Sequence, residues 1–225
     1  MLLGLAACDR KPVEEGAAQP DPAAELAEAG DLSGPELFAR VCSACHGPAG
    51  EGKEELFAPS IAGLPVWYVE EQLGKFHSGA RGSHPEDLPG QQMRAISLAL
   101  TGSQISGIAA AVSELPLPAV EPPSPGFDLE RGRYRYANEC MECHRYNGKG
   151  EIAFRSAPLV GLNRSYLRRQ LQNYRSGLRG AVEGDLYGAK MVEIAGRLDD
   201  DEIELFLDYI GALANGDDPR SAREK

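Results

Sequence analysis

Two stretches of this 225-residue chain place two thiols and an imidazole within five residues: Cys42-Ser-Ala-Cys45-His46 and Cys140-Met-Glu-Cys143-His144. On one helical turn that spacing presents both thiols to the two vinyl groups of a porphyrin, and the histidine that follows lies beneath the iron as its proximal ligand. A tetrahedral zinc site would need a fourth ligand at each motif, and no further cysteine or histidine recurs at matching positions to supply one. The motifs therefore predict two covalently attached haem c groups.

The motifs lie 98 residues apart, and the same offset aligns much more of the chain. Gly50 and Gly52 meet Gly148 and Gly150, Gly63-Leu64 meets Gly161-Leu162, and Tyr68 meets Tyr166. Gln72-Leu73 meets Gln170-Leu171, Ser78-Gly79 meets Ser176-Gly177, and Arg81-Gly82 meets Arg179-Gly180. Such a list marks two homologous units in tandem. Met93 also meets Met191, each 47 residues after its motif histidine. A thioether is an ordinary core filler, but equal spacing in two units predicts Met93 and Met191 as distal iron ligands, which raises the potential of the metal. His77 and His84 are the competing ligands for the first iron. They align with Arg175 and Val182, so surface roles are expected for both.

Helices must carry these groups, and the fold class expected is all-α, as two tandem class I haem domains. Ser33, with Pro35 near the start, predicts a helix running into Cys42; Pro65 opens a second and Ser103 caps a third through Ile105, Ile108, Val112 and Leu115. The second unit repeats the plan with a helix entering Cys140, one after Asn163 and one after Asp199. The last shows Ile203, Phe206, Leu207, Ile210 and Leu213 at helical spacing. No run alternates as a strand would. The expected organisation is a signal remnant and acidic tether over 1–32, a haem domain over 33–115, and a stiff proline-rich linker over 116–125. A second haem domain follows over 126–215, then a polar tail over 216–225.

Paired domains of this kind, with Gln72-Leu-Gly-Lys-Phe-His-Ser-Gly-Ala-Arg81 and Gln170-Leu-Gln-Asn-Tyr-Arg-Ser-Gly-Leu-Arg179 downstream of the motifs, resemble the cytochrome c4 family over about residues 33–215. The resemblance implies two helical haem domains facing each other across a pseudo-twofold, with haem edges close enough for internal electron transfer. It also implies a periplasmic donor to terminal oxidases. Arg81 and Arg179 are candidates to pair with haem propionates, or are ordinary surface charge; a buried carboxylate needs such a partner.

The net charge of −11 excludes the positive footprint that nucleic-acid binding requires. Residues 1–36 carry eight acids against Arg10 and Lys11, whereas residues 131–179 carry eleven basic residues against Glu139, Glu142 and Glu151. That polarity suits an oriented docking surface as well as a mixed solvated one. The opening Leu5-Ala6-Ala7-Cys8 resembles a bacterial lipobox, which predicts lipidation at Cys8 and a truncated signal before it. Residues 9–32, rich in Ala, Pro and acids, then read as a tether. The expected location is the periplasmic side of a bacterial membrane, with the inner membrane favoured.

Two irons closed by histidine and methionine leave no open site for a small-molecule substrate, so the expectation is electron transfer without catalysis. Expected partners are a quinol-oxidising or other dehydrogenase complex and a terminal oxidase, reductase or photosynthetic centre, with the chain as carrier or bound subunit. The alternative is a dihaem enzyme, of peroxidase or thiosulfate-oxidising type, with one open or unusually ligated iron.

Overall fold

The computed structural model describes residues 32–218. Cys8 and most of the expected tether, together with the end of the tail, lie outside the described residues. The architecture is helical, and the described residues contain no strand beyond two isolated bridges, Lys53 with Ala58 and Glu151 with Ser156, themselves 98 residues apart.

In the first domain α1 (Gly34–Leu37) passes through a π-helical segment (Phe38–Cys42) into α2 (Ser43–His46). Ser33 and Glu36 form the capping box that starts it, with Pro35 in the first turn. After the loop come α3 (Val66–Ser78), α4 (Leu88–Leu98) and α5 (Gly102–Ser113). The cap of α5 is Thr101, bonded to the Gln104 backbone, and not Ser103 as expected. The reciprocal Thr101–Gln104 box satisfies two end groups at once, which a lone serine at 103 cannot. The entry and exit helices cross at Gly34 and Gly107, where a Cβ on Gly34 would lie 2.0 Å from the Gly107 carbonyl oxygen. Only glycine allows that approach.

The second domain follows the same order: α6 (Leu129–Glu139), α7 (Met141–His144), α8 (Arg164–Arg175), α9 (Leu186–Ala195) and α10 (Asp200–Asn215). Asn163 precedes α8 and Asp199 caps α10, as their positions before the apolar stripes predict. Ile203, Phe206, Leu207, Ile210 and Leu213 of α10 are all buried. Burial of a side chain of this size contributes about 1.5–3 kcal/mol. Helices α4 and α9 were not legible from apolar periodicity. Each starts from an aspartate that accepts from the backbone N–H three residues on, Asp87 from Gly90 and Asp185 from Gly188.

The linker runs along the second domain. Asp208 Oδ1 accepts from the Ser124 backbone N–H (2.8 Å) and hydroxyl (2.9 Å). Leu117 lies over the seam: a Cβ on Gly63 would come within 2.8 Å of its Cδ2, and one on Gly161 within 3.0 Å.

Candidate haem sites

At each motif the histidine is buried, and its Nδ1 lies 2.8 Å from a backbone oxygen thirteen residues on. His46 meets Pro59 and His144 meets Ala157. A carbonyl only accepts, so Nδ1 carries the proton and Nε2 keeps its lone pair for a metal. Burial also lowers the pKa of both imidazoles, although the same hydrogen bond opposes it. Both are therefore neutral ligands by construction. The first thiol of each motif, Cys42 and Cys140, is pushed up to about 12 by burial, and the four motif cysteines form no disulfide.

In the second domain these groups line one cavity, open to solvent at its mouth. Cys140, Cys143, His144 and Met191 all face it, with apolar walls from Leu159, Leu167, Ile194 and Phe206. A flat apolar macrocycle with an iron fits that donor set, with imidazole and thioether available in the same space. Met93 holds the equivalent place on α4, half-buried against the core. Of the competing histidines, His77 is exposed, with its Nδ1 2.9 Å from the Ser97 carbonyl, and His84 is partly exposed, with its Nδ1 accepting from the Glu86 N–H.

The cavity wall is completed from the other domain, by Tyr68, Gln72 and Lys75. Between the two sites lies a crossed polar cluster. Arg81 Nη1 donates to its own Gln72 (2.7 Å) and Nη2 to Tyr166 and Gln170 of the second domain (both 3.4 Å). Arg179 Nη1 donates to its own Gln170 (2.7 Å), and Nη2 to Gln72 (3.1 Å) across the seam. It also donates to Tyr68, whose phenol burial pushes up to about 12. Arg81 is 8% exposed, and its Nε has no partner. Among the described residues neither guanidinium forms an ion pair with a carboxylate. Two cations held at a domain seam without a carboxylate partner are costly, and paired carboxylates from a bound group would complete them. Each arginine is followed by a glycine at positive φ, +72° at Gly82 and +81° at Gly180. A Cβ there would meet the Gly90 or Gly188 carbonyl at 2.1 or 2.6 Å, at the start of the methionine-bearing helix. The Arg-Gly repeat thus locks the arginine loop to α4 or α9.

The cytochrome c family model matches residues 32–114 and 129–214, one match for each domain. The chain belongs to the cytochrome c family. It is 31% identical over 180 residues to a thiosulfate dehydrogenase electron acceptor from Stutzerimonas stutzeri strain A1501, covering 76% of this chain and 78% of the relative. To cytochrome c4 of Azotobacter vinelandii it is 29% identical over 195 residues, covering 82% and 90%. Among solved structures, reduced recombinant cytochrome c4 from Pseudomonas stutzeri matches with a TM-score of 0.63 and 26% identity over 79% of this chain and 95% of that one. A thiosulfate dehydrogenase from Marichromatium purpuratum matches with a TM-score of 0.60 and 31% identity over 84% of this chain, which spans 39% of that longer chain. The protein is thus a cytochrome c4-like dihaem cytochrome carrying two haem c groups, and its chemistry is electron transfer.

What sequence reasoning missed in this cytochrome is the seam. Tyr68, Tyr166, Gln72 and Gln170 stand out in the repeat, but nothing in their spacing says that each would bond the other domain's arginine. The signal available was the pairing itself: polar residues repeated at α-helical spacing beside apolar ones are candidates for an interface between the repeats.

Proposed function

We propose that this cytochrome is a one-electron carrier in which His46 with Met93 and His144 with Met191 close the two irons. The observation that carries the reading is that Met191 lines the same cavity as Cys140, Cys143 and His144, at the same 47-residue step that separates His46 from Met93. The haem supplies the iron redox couple. Cys42, Cys45, Cys140 and Cys143 hold it covalently. The carbonyls of Pro59 and Ala157 orient the proximal imidazoles, and the apolar walls exclude water, so little reorganises when charge changes. Arg81 and Arg179 neutralise the propionates at the seam, where their present partners are only neutral amides and phenols. With a haem held in each domain, Tyr68, Gln72 and Lys75 of the first domain would stand against the second domain's group, and the two irons would supply the redox couples for electron passage between the domains.

The chain acts on the periplasmic side of a bacterial membrane, held by a lipid on Cys8, without enzymatic activity of its own. Its electron donor is a dehydrogenase or quinol-oxidising complex, and its acceptor a terminal oxidase, reductase or photosynthetic centre. Resemblance to a relative named as a thiosulfate dehydrogenase electron acceptor supports a dehydrogenase on the donor side. An enzyme with one open iron is the competing reading.

The oxidised full chain is tested by optical spectroscopy. A weak far-red methionine-to-iron band at two-haem intensity is expected, with no binding of carbon monoxide by the reduced protein. Met93→Ala and Met191→Ala should each remove half of that band. High-spin features in the unmodified protein would sink the carrier reading for that haem.

A further inference from the structure

Lys75 belongs to the first domain but lines the cavity of the second haem. It stands near the end of α3, and its Nζ donates to Asp185 Oδ1 at 2.9 Å across the seam. Asp185 is the N-cap of α9, the helix that carries Met191, and the same Oδ1 accepts from the Gly188 N–H at 3.0 Å. One oxygen therefore starts a helix in one domain and receives the cation of the other. The pair is shielded, with 6% of the aspartate and 21% of the lysine side chain exposed, so it is not a solvent-screened surface contact. Glu71, one turn back on α3, holds the ammonium from the other side at 3.6 Å, and itself meets Arg155 of the second domain at 3.3 Å.

The repeat provides an internal control. Ninety-eight residues on, Lys75 becomes Asn173 and Glu71 becomes Arg169. Asp87 caps α4 as Asp185 caps α9, but among the described residues no ammonium donates to it. Arg169 acts on Asp87 through space, while its hydrogen bond goes to the Phe57 carbonyl at 2.6 Å. The two distal helices are thus started alike and held differently.

We infer that Lys75 is a trans-domain positioning residue for the second haem. By holding the Asp185 cap it fixes the start of α9, and through it the thioether of Met191, so the first domain sets how readily the second iron gives up its distal ligand. At the first iron the corresponding Asp87 cap meets Arg169 only through space, and among the described residues no cation donates a hydrogen bond to it. Without the ammonium, the nearly buried Asp185 carboxylate loses its counter-charge and is drawn toward water, which loosens the first turn of α9 while the haem stays attached. The inference rests on Met191 being that ligand.

Cyanide binding to the oxidised, full-length dihaem protein tests it, because cyanide reports loss of the sixth ligand without any electron-transfer partner. Met93→Ala and Met191→Ala assign the binding phase of each haem. Lys75→Met is expected to raise cyanide affinity at the second haem about tenfold, the equivalent of ~1.4 kcal/mol, and to leave the first within about twofold. Lys75→Arg should restore the original value, and Asn173→Ala should change neither haem. Asp185→Ser keeps a cap and deletes the carboxylate; it should open the second haem, after which Lys75→Met adds little. This cycle also serves if the methionine variant alone loads haem poorly. An equal shift at both haems, or no shift on Lys75→Met or Asp185→Ser, overturns the inference. If Met191→Ala leaves the second iron closed to cyanide, the ligand reading itself fails, and the two failures are told apart.

Discussion

In the first domain the entry helix reaches Cys42 through a π-helical segment and the chain leaves His46 at Gly47 with φ +80°. In the second, the helix breaks at Cys140, whose φ is −121°, and the residue after His144 is Arg145, held at φ +67° and ψ 160°. That conformation is nearly glycine-only, so one domain meets the requirement with glycine and the other by strain. Their stabilising contacts differ as well. Among the described residues, Glu71–Lys75 is the ion pair lying wholly in the first domain. The second contains Arg133–Asp218, Arg164–Asp208, Arg168–Glu204 and Arg175–Asp200. Its core also stacks Tyr136 on Tyr209 at 5.0 Å, and the Tyr209 hydroxyl donates to the fully buried Asp218 at 2.7 Å. The lesson is that one haem-binding skeleton tolerates an apolar or an ionic supporting shell, provided the proximal carbonyl and the distal helix keep their places.

The sharpest way to break the comparison is to remove one haem. Cys140→Ala with Cys143→Ala is expected to halve the haem absorbance per chain, leaving the first domain's spectrum intact; a loss of both haems would show that the domains do not mature separately. Next comes Asp218→Ala, which removes the acceptor of Arg133 Nε and of the Tyr209 hydroxyl while Arg133 keeps Glu130. It should cost the second domain about 2 kcal/mol, read as a denaturation transition that moves while the first domain's does not. Arg145→Gly should work in the opposite direction, raising the stability of the second domain by about 1 kcal/mol through release of strain; Gly47→Ala should destabilise the first. The smallest effect is acidic. The Arg168 and Arg164 guanidiniums hold Glu204 down to about 2, against opposition from burial. A carboxyl lowered on folding stabilises above its unfolded pKa, and the contribution is lost as pH falls through the folded value. Glu204 is 42% exposed, so screening leaves about 0.5 kcal/mol. The second domain should lose that amount between pH 5 and 2 on the order of these pKa values, and Glu204→Gln should abolish the loss.

How much was legible follows from range. The entry helices, α3, α8 and α10 were visible because caps and apolar spacing act within a turn or two; Ser33, Pro65 and Asp199 each stand at the start of the helix they announce. Helix α5 was visible too, but its cap was displaced by two residues, since Thr101 wins only through a reciprocal bond with Gln104. Helices α4 and α9 were not visible. Leu88 and Leu186 at their starts are exposed, as is Leu98, and Met191 and Ile194 of α9 line the cavity, so the stripe that marks an ordinary core helix is missing.

The covalent chemistry and its duplication are local properties of the chain: attachment needs only two thiols and an imidazole in one turn, and the 98-residue repeat carries that unit twice. The tertiary structure alone decided what lies between the two units. Arg81 bonds Tyr166, Arg179 bonds Gln72, and Lys75 reaches Asp185. These partners are 85 to 110 residues apart in the chain. No local spacing encodes such pairs; they exist because two folded surfaces bury polar groups together, and each buried donor must then find its acceptor on the other domain.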